Sequence, residues 1–72
     1  MSNAEKIALL EETWELDEGT LKEDTRLSDV EAFDSMGKLA LIVVCDDEFG
    51  KKLTGEILRE FKIVKDILDF MG

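Results

Sequence analysis

The sequence predicts an all-α fold: a small antiparallel four-helix bundle with three main helices, one short helix and a long loop between helices one and two. Three observations lead there. Apolar residues recur at three- and four-residue intervals in separate stretches, the spacing of a helix face. Residues that favour helix caps stand ahead of those stretches. And the strict alternation of a half-buried strand is missing. The 72 residues make one domain, 1-72, near the lower limit at which a hydrophobic core holds a chain together.

Helix one opens on Ser2 and Glu5, which have capping-box spacing: Ser2 accepts from a first-turn amide while Glu5 reaches back. Ile7, Leu10 and Trp14 then share one face, and Asp17, Gly19 and Thr20 close a helix expected over residues 3 to 15. Residues 16 to 34 keep neither period. Their apolar members (Leu16, Leu21, Leu27, Val30 and Phe33) stand apart among turn-formers and charges. They read as anchors that pin an irregular connection onto the core, in which Thr20 and Glu23 are spaced to open a single helical turn.

Helix two is expected from Ser35 to Glu48. Met36, Leu39, Ile42, Val43 and Phe49 form its apolar face, and Leu41, Val44 and Cys45 broaden it, which calls for more than one neighbouring helix. The run is longer than most buried strands, and Gly50 stops it. Thr54 is the N-cap expected for a short helix through Phe61, with Glu56 in its first turn. "IVKDILDFM" repeats Val64, Ile67, Leu68 and Met71 at helical spacing and forms the last helix.

Charge and absences narrow the function. Eighteen acids against nine bases give a net charge of −9, which repels phosphate backbones and anionic lipid. Nucleic acid and membrane surfaces are therefore not expected partners, whereas a basic protein surface is the natural complement. Without histidine there is no Ser-His-Asp or Cys-His arrangement and no imidazole metal site, so no metal ligands are expected. Cys45 is alone, which fits a reduced cytoplasm, and it is expected to pack as a small apolar group. No run approaches the length that spans a bilayer, and "KIALL" is too short for a secretory signal. So small and charged a chain suits a monomer, and it has neither the size nor the nucleophile pair of an enzyme.

One position stands out. In "EAFDSMGKLALIVVCDDEFG" a serine follows an aspartate at the threshold of the most apolar helix. Read from the residues, Ser35 is either the N-cap of that helix or a place where something is attached. A phosphate there would lie over free amides and the positive end of the helix dipole.

Asp34-Ser35-Met36, then Leu39, Leu41-Ile42 and Asp46-Asp47-Glu48-Phe49-Gly50, closely resembles the acyl carrier protein family. There the pattern is Asp-Ser-Leu, an apolar helix, then Glu-Glu-Glu-Phe. The likeness continues through Leu53, the short helix and "FKIVKDILDF", and upstream "LKEDTRLSDV" resembles the loop before the carrier serine. It covers essentially the whole chain.

The resemblance implies that Ser35 is esterified with 4′-phosphopantetheine, installed by a separate phosphopantetheinyl transferase from coenzyme A with magnesium. The arm's thiol would hold acyl or aminoacyl groups as thioesters and present them to loading ligases or synthases with basic docking surfaces. Asp34 matches the family's aspartate and implies a part in transferase docking; its ordinary role is a favourable charge near a helix start. Met36 matches the apolar residue that partners touch, and its ordinary role is core packing. Asp46, Asp47 and Glu48 match the acidic end of the recognition helix, where three acids oppose the helix dipole.

The chain also departs from the pattern. Gly37 and Lys38 stand where fatty-acid carriers have polar or acidic residues, Ala40 replaces a frequent glutamate, and Thr54 replaces a frequent proline. The thinned acidic stripe leaves open whether the partners belong to fatty acid biosynthesis or to polyketide or other secondary metabolism. Phe33-Asp34-Ser35 after "EA" looks more like the free-standing carriers, with peptidyl and D-alanyl carriers as the neighbouring alternative. The rival class is a small acidic interaction domain that binds a basic partner, with Ser35 only a cap. The spacing of an EF-hand calcium loop is absent.

Overall fold

Caps and anchors account for how the 72 residues fold in the computed structural model, which describes residues 1–72. Helix α1 spans Asn3–Thr13. The Ser2 hydroxyl accepts from the Glu5 amide at 3.2 Å, and the Glu5 carboxylate accepts from the Ser2 amide at 2.9 Å, so the expected capping box is present. The helix ends two residues earlier than expected, in a Schellman turn. The Leu16 amide donates to Glu11 O at 2.7 Å and the Glu15 amide to Glu12 O at 3.2 Å. Glu15 takes the left-handed position of that turn, with φ 56°, where glycine is the usual occupant.

The long connection contains one 3₁₀ turn, Leu27–Asp29. The helical turn expected at Thr20 is not there; the Thr20 hydroxyl instead donates back to Asp17 O at 2.6 Å. What orders the segment is pairing with distant chain. The Leu27 amide donates to Lys62 O at 3.0 Å, Val64 to Thr25 O at 2.9 Å and Lys65 to Glu23 O at 2.8 Å. Arg26 and Ile63 form an isolated antiparallel bridge between these bonds. As expected, Leu21 and Leu27 are buried, with Leu16, Val30 and Phe33 packed against the core.

Helix α2 spans Ser35–Phe49 and ends at Gly50, whose φ of 62° is the left-handed conformation a β-carbon disfavours. Helix α3 spans Gly55–Glu60, with the Thr54 hydroxyl accepting from the Ile57 amide at 3.3 Å as the expected cap. Helix α4 spans Val64–Met71 and buries Val64, Ile67, Leu68 and Met71, as its spacing predicts. One Asp66 carboxylate oxygen accepts from the Lys62 and Ile63 amides at 2.8 and 3.1 Å, closing the first turn of α4. The result is a small all-helical bundle, and no helix is long and apolar enough to cross a membrane.

Helix α1 packs against both α2 and α4. The centre holds Leu10, Leu41, Cys45, Val64, Ile67 and Leu68, all essentially sealed from solvent. Two charged side chains of α1 are buried with them. Lys6 donates to Leu68 O near the end of α4 at 3.4 Å, and Glu11 accepts from the Leu21 amide at 2.9 Å. Each therefore satisfies a backbone group where another element ends or crosses.

Two predictions test this framework. A β-carbon at Gly37 would collide with the Ala32 carbonyl, whereas one at Gly55 would meet nothing nearer than the Arg59 guanidinium at 3.9 Å. Gly37→Ala is expected to cost about 3 kcal/mol despite alanine's better helix propensity, while Gly55→Ala is neutral or stabilising; urea unfolding of both variants reads the contrast.

The second concerns acid. The Lys62 and Ile63 amides hold the Asp66 carboxyl below its ordinary value. Because the folded pKa is depressed, its stabilisation is complete above the ordinary carboxylate range and is lost as pH falls through the folded value. Asp66→Asn should therefore flatten the loss of stability between about pH 5 and pH 2. Parallel acid limbs for the two proteins would refute the role assigned to Asp66.

Candidate functional site

The start of α2 is built by three residues from two parts of the chain. Asp34 has extended backbone (φ −105°, ψ −166°), and its Oδ1 accepts from the Gly37 amide at 2.9 Å. Trp14, buried at the end of α1, donates its indole N–H to Gly37 O at 3.0 Å. Gly37 in turn lies against the Ala32 carbonyl, an approach that only a residue without a side chain allows. The Trp14 ring meets Phe33 edge-on, with centroids 5.8 Å apart, and the Lys38 ammonium rests over Phe33 at 5.2 Å.

This arrangement corrects the first of the two readings of Ser35. Asp34, not Ser35, is the N-cap, and Ser35 is the first helical residue. Both residue types cap helices well, so sequence leaves the register open by one position. The extended dihedrals of Asp34 and the reach of its carboxylate to Gly37 decide it. The Ser35 hydroxyl is left free of the capping role, on an exposed residue, at the positive end of the longest helix in the chain.

The apolar face expected for α2 is corrected in part: Ile42 and Phe49 pack against the core, and Leu41 and Cys45 are buried in it, but the other three residues of that face are not. Met36, Leu39 and Val43 are 81%, 62% and 51% exposed, while Gly37, Leu41 and Cys45 form the buried line. The helix is apolar nearly all the way round, so periodicity alone could not choose between two faces. Gly37 chooses, because the backbone approaches its neighbour most closely there. Met36 consequently does not serve in core packing.

At 3.6 residues per turn, Ser35, Met36, Leu39, Val43, Asp46 and Asp47 all fall within a sector of roughly 120° opposite the buried line. Ser35, Met36 and two of the three acids expected at the site are thus brought to one face. Glu48 projects from a different side of the last turn, although it too is exposed. Asp34 precedes the helix and is engaged as its cap.

Cys45 packs as the small apolar residue expected, and burial pushes its thiol up to about 11, far from a reactive thiolate. No group of His, Cys, Asp and Glu side chains is gathered in a way that could hold a metal ion. Sequence reading passed over Trp14 and Gly37 as site-forming residues. Their signal was present in part, since an isolated glycine inside a helical pattern often marks a close approach.

Comparison with known proteins gives no match: no family model, no curated protein and no solved structure corresponds to this chain.

The cap assignment carries its own prediction. Asp34→Ala should cost about 1 kcal/mol of stability, the usual worth of an N-cap. Ser35→Ala should change stability by less than about 0.5 kcal/mol, as an exposed surface substitution does. Thermal melts of the two variants side by side give the answer, and a larger loss for Ser35→Ala would return the cap to the serine.

Proposed function

We propose that the chain is a free-standing acyl carrier protein whose Ser35 hydroxyl bears a 4′-phosphopantetheine arm. The observation that carries this reading is the exposed Ser35 at the first position of α2, with the cap supplied by Asp34 instead. The resemblance of Asp34-Ser35-Met36 and the following helix to the carrier family supplies the chemical identity of the attachment.

The residues at the site suit the group. A phosphodiester on the Ser35 oxygen would lie at a helix N-terminus, where the free amides and the dipole favour negative charge. Lys38 stands one turn further along, with its ammonium over Phe33. When bound, the arm supplies a thiol that holds an acyl or aminoacyl group as a thioester. The protein's own part is to hold Ser35 accessible and to present a recognition face. Trp14 and Gly37 fix the turn that bears the serine, and Met36, Leu39 and Val43 offer apolar contact beside it. Asp46 and Asp47 on the same face, with Glu48 at the helix end, suit a phosphopantetheinyl transferase and acyl-loading enzymes with basic docking surfaces. The lone, buried Cys45 suits work in a reducing cytoplasm.

The same exposed stripe favours one other reading, a small acidic domain that binds a basic partner without any modification. Intact mass separates the two. Incubation with coenzyme A, magnesium and a permissive phosphopantetheinyl transferase should add a single pantetheine arm to the wild type and none to Ser35→Ala. No addition with several transferases, on folded protein, would overturn the carrier reading in favour of the interaction domain.

A further inference from the structure

Four grooves indent the surface, and two of them adjoin, because Ala32 lines both. The first lies between the end of α1 and the start of α2. Trp14, Met36 and Ala40 give its apolar lining, and Glu15 and Asp34 are its acids. The second is formed by the long connection, with Leu16, Leu21 and Val30 in its lining and Asp29 and Glu31 as its acids. Apolar surface makes up most of both.

Charge separates this pair from the other two. Neither of the adjoining grooves has a cation in its lining. By contrast, Lys51 and Lys52 stand with Asp46 and Asp47 in the third groove, and Lys38, Arg59 and Lys62 line the fourth. The four acids of the pair are all exposed. The one ion pair in the protein joins Lys65 to Asp69, so none of the four is neutralised from within the chain. Asp34 gives Oδ1 to the Gly37 amide and keeps its other oxygen. The two volumes, about 330 and 270 Å³, stand near the lower bound of small-molecule sites, roughly 300 Å³, so each suits one long side chain. Apolar lining beside carboxylates fits a side chain with an apolar stem and a positive end. Arginine answers that description better than lysine, because its guanidinium is weakly hydrated and meets a carboxylate with two parallel hydrogen bonds.

We propose that the adjoining grooves form a two-point socket for a segment of a partner protein that carries two arginines, one seated in each groove. The socket belongs to the end of α1 and the connection, apart from the acidic end of α2. It does not rest on the carrier reading. Asp34 and Met36 stand on either side of Ser35 in the chain, so a segment seated in the first groove lies beside the serine, modified or not.

The probes are short acetylated and amidated peptides in which two arginines are separated by one, two or three glycines. Each is compared with a twin in which citrulline, the uncharged isostere, replaces both arginines. Trp14 is the only tryptophan in the chain and lines the first groove, so its fluorescence reports there. Amide chemical shifts of Val30 and Glu31 report on the second. At low salt the best arginine peptide should bind the unmodified full chain about tenfold more tightly than its twin and move both reporters. Glu15→Gln combined with Glu31→Gln should cut that preference to about threefold. Glu56→Gln combined with Glu60→Gln, an equal change of charge on α3 outside every groove, should leave it near tenfold. All four substituted residues are exposed, so both variants should melt close to wild type, which thermal scans record. No binding, equal affinity for arginine and citrulline, a response in only one groove, or shifts centred on Asp46 and Asp47 would each overturn the proposal. So would equal losses in the two double variants, which would reduce the binding to general attraction by a chain of net charge −9. No probe needs Ser35 to be modified. A failed pantetheine transfer would therefore strike down the carrier reading alone, while the titration still reports on the socket.

Discussion

The side chain missing at Gly37 is the constraint on which the other features depend. Glycine inside a helix is disfavoured by roughly 0.5–1 kcal/mol relative to alanine, so its presence in the first turn of α2 calls for a return. That return is the contact with the Ala32 carbonyl and the indole of Trp14. The Gly37 amide serves the Asp34 cap and its carbonyl serves Trp14. A buried residue at the end of α1 therefore sets the orientation of the turn that bears Ser35. The rotation of α2 is set with it, Leu41 and Cys45 inward and Met36, Leu39 and Val43 outward.

A chain this short cannot order a long connection by apolar burial alone, and it does so with polar ties at intervals. The Glu11 carboxylate holds the Leu21 amide, the backbone bonds around Arg26 and Ile63 hold the middle, and the Ala32–Gly37 contact holds the end. Buried Leu21 and Leu27 lie between these ties. Burial of Glu11 is tolerated because its oxygen meets a donor that would otherwise lack a partner. Through the middle tie, the connection and the start of α4 stabilise each other.

Features governed by neighbouring residues were legible in the sequence. The Ser2–Glu5 box, the Thr54 cap, the Gly50 stop and the apolar face of α4 depend on spacings of a few residues, and all are present as read. What was misread depended on partners far along the chain. The choice of face on α2 needed Ala32 and Trp14. The bridge between Arg26 and Ile63 has no local signal, because isolated pairing requires no alternating run. The Thr20–Glu23 spacing proposed a helical turn, but the Thr20 hydroxyl found Asp17 O instead. At Ser35 the ambiguity was of another kind. Two good capping residues stood side by side, and only backbone dihedrals told them apart.

The departures from the carrier pattern acquire a physical sense from the charge layout along α2. Asp46 lies roughly 16 Å from Ser35 along the helix axis, at 1.5 Å rise per residue. That exceeds the screening length of about 8 Å at physiological salt, so the acidic end of the helix does little to oppose an anion held on Ser35. Acids at positions 37, 38 and 40 would lie within that length and would oppose it. The chain has Gly37, Lys38 and Ala40 there, and its nearest acid, Asp34, has its carboxylate committed to an amide. If the chain is the carrier proposed above, the two ends of α2 would divide the work: the acids would attract a basic partner, and the neutral and cationic turn around the serine would accommodate the phosphate. The exposed Leu39 and Val43 lie between the two ends, where a partner drawn to one must cross to reach the other.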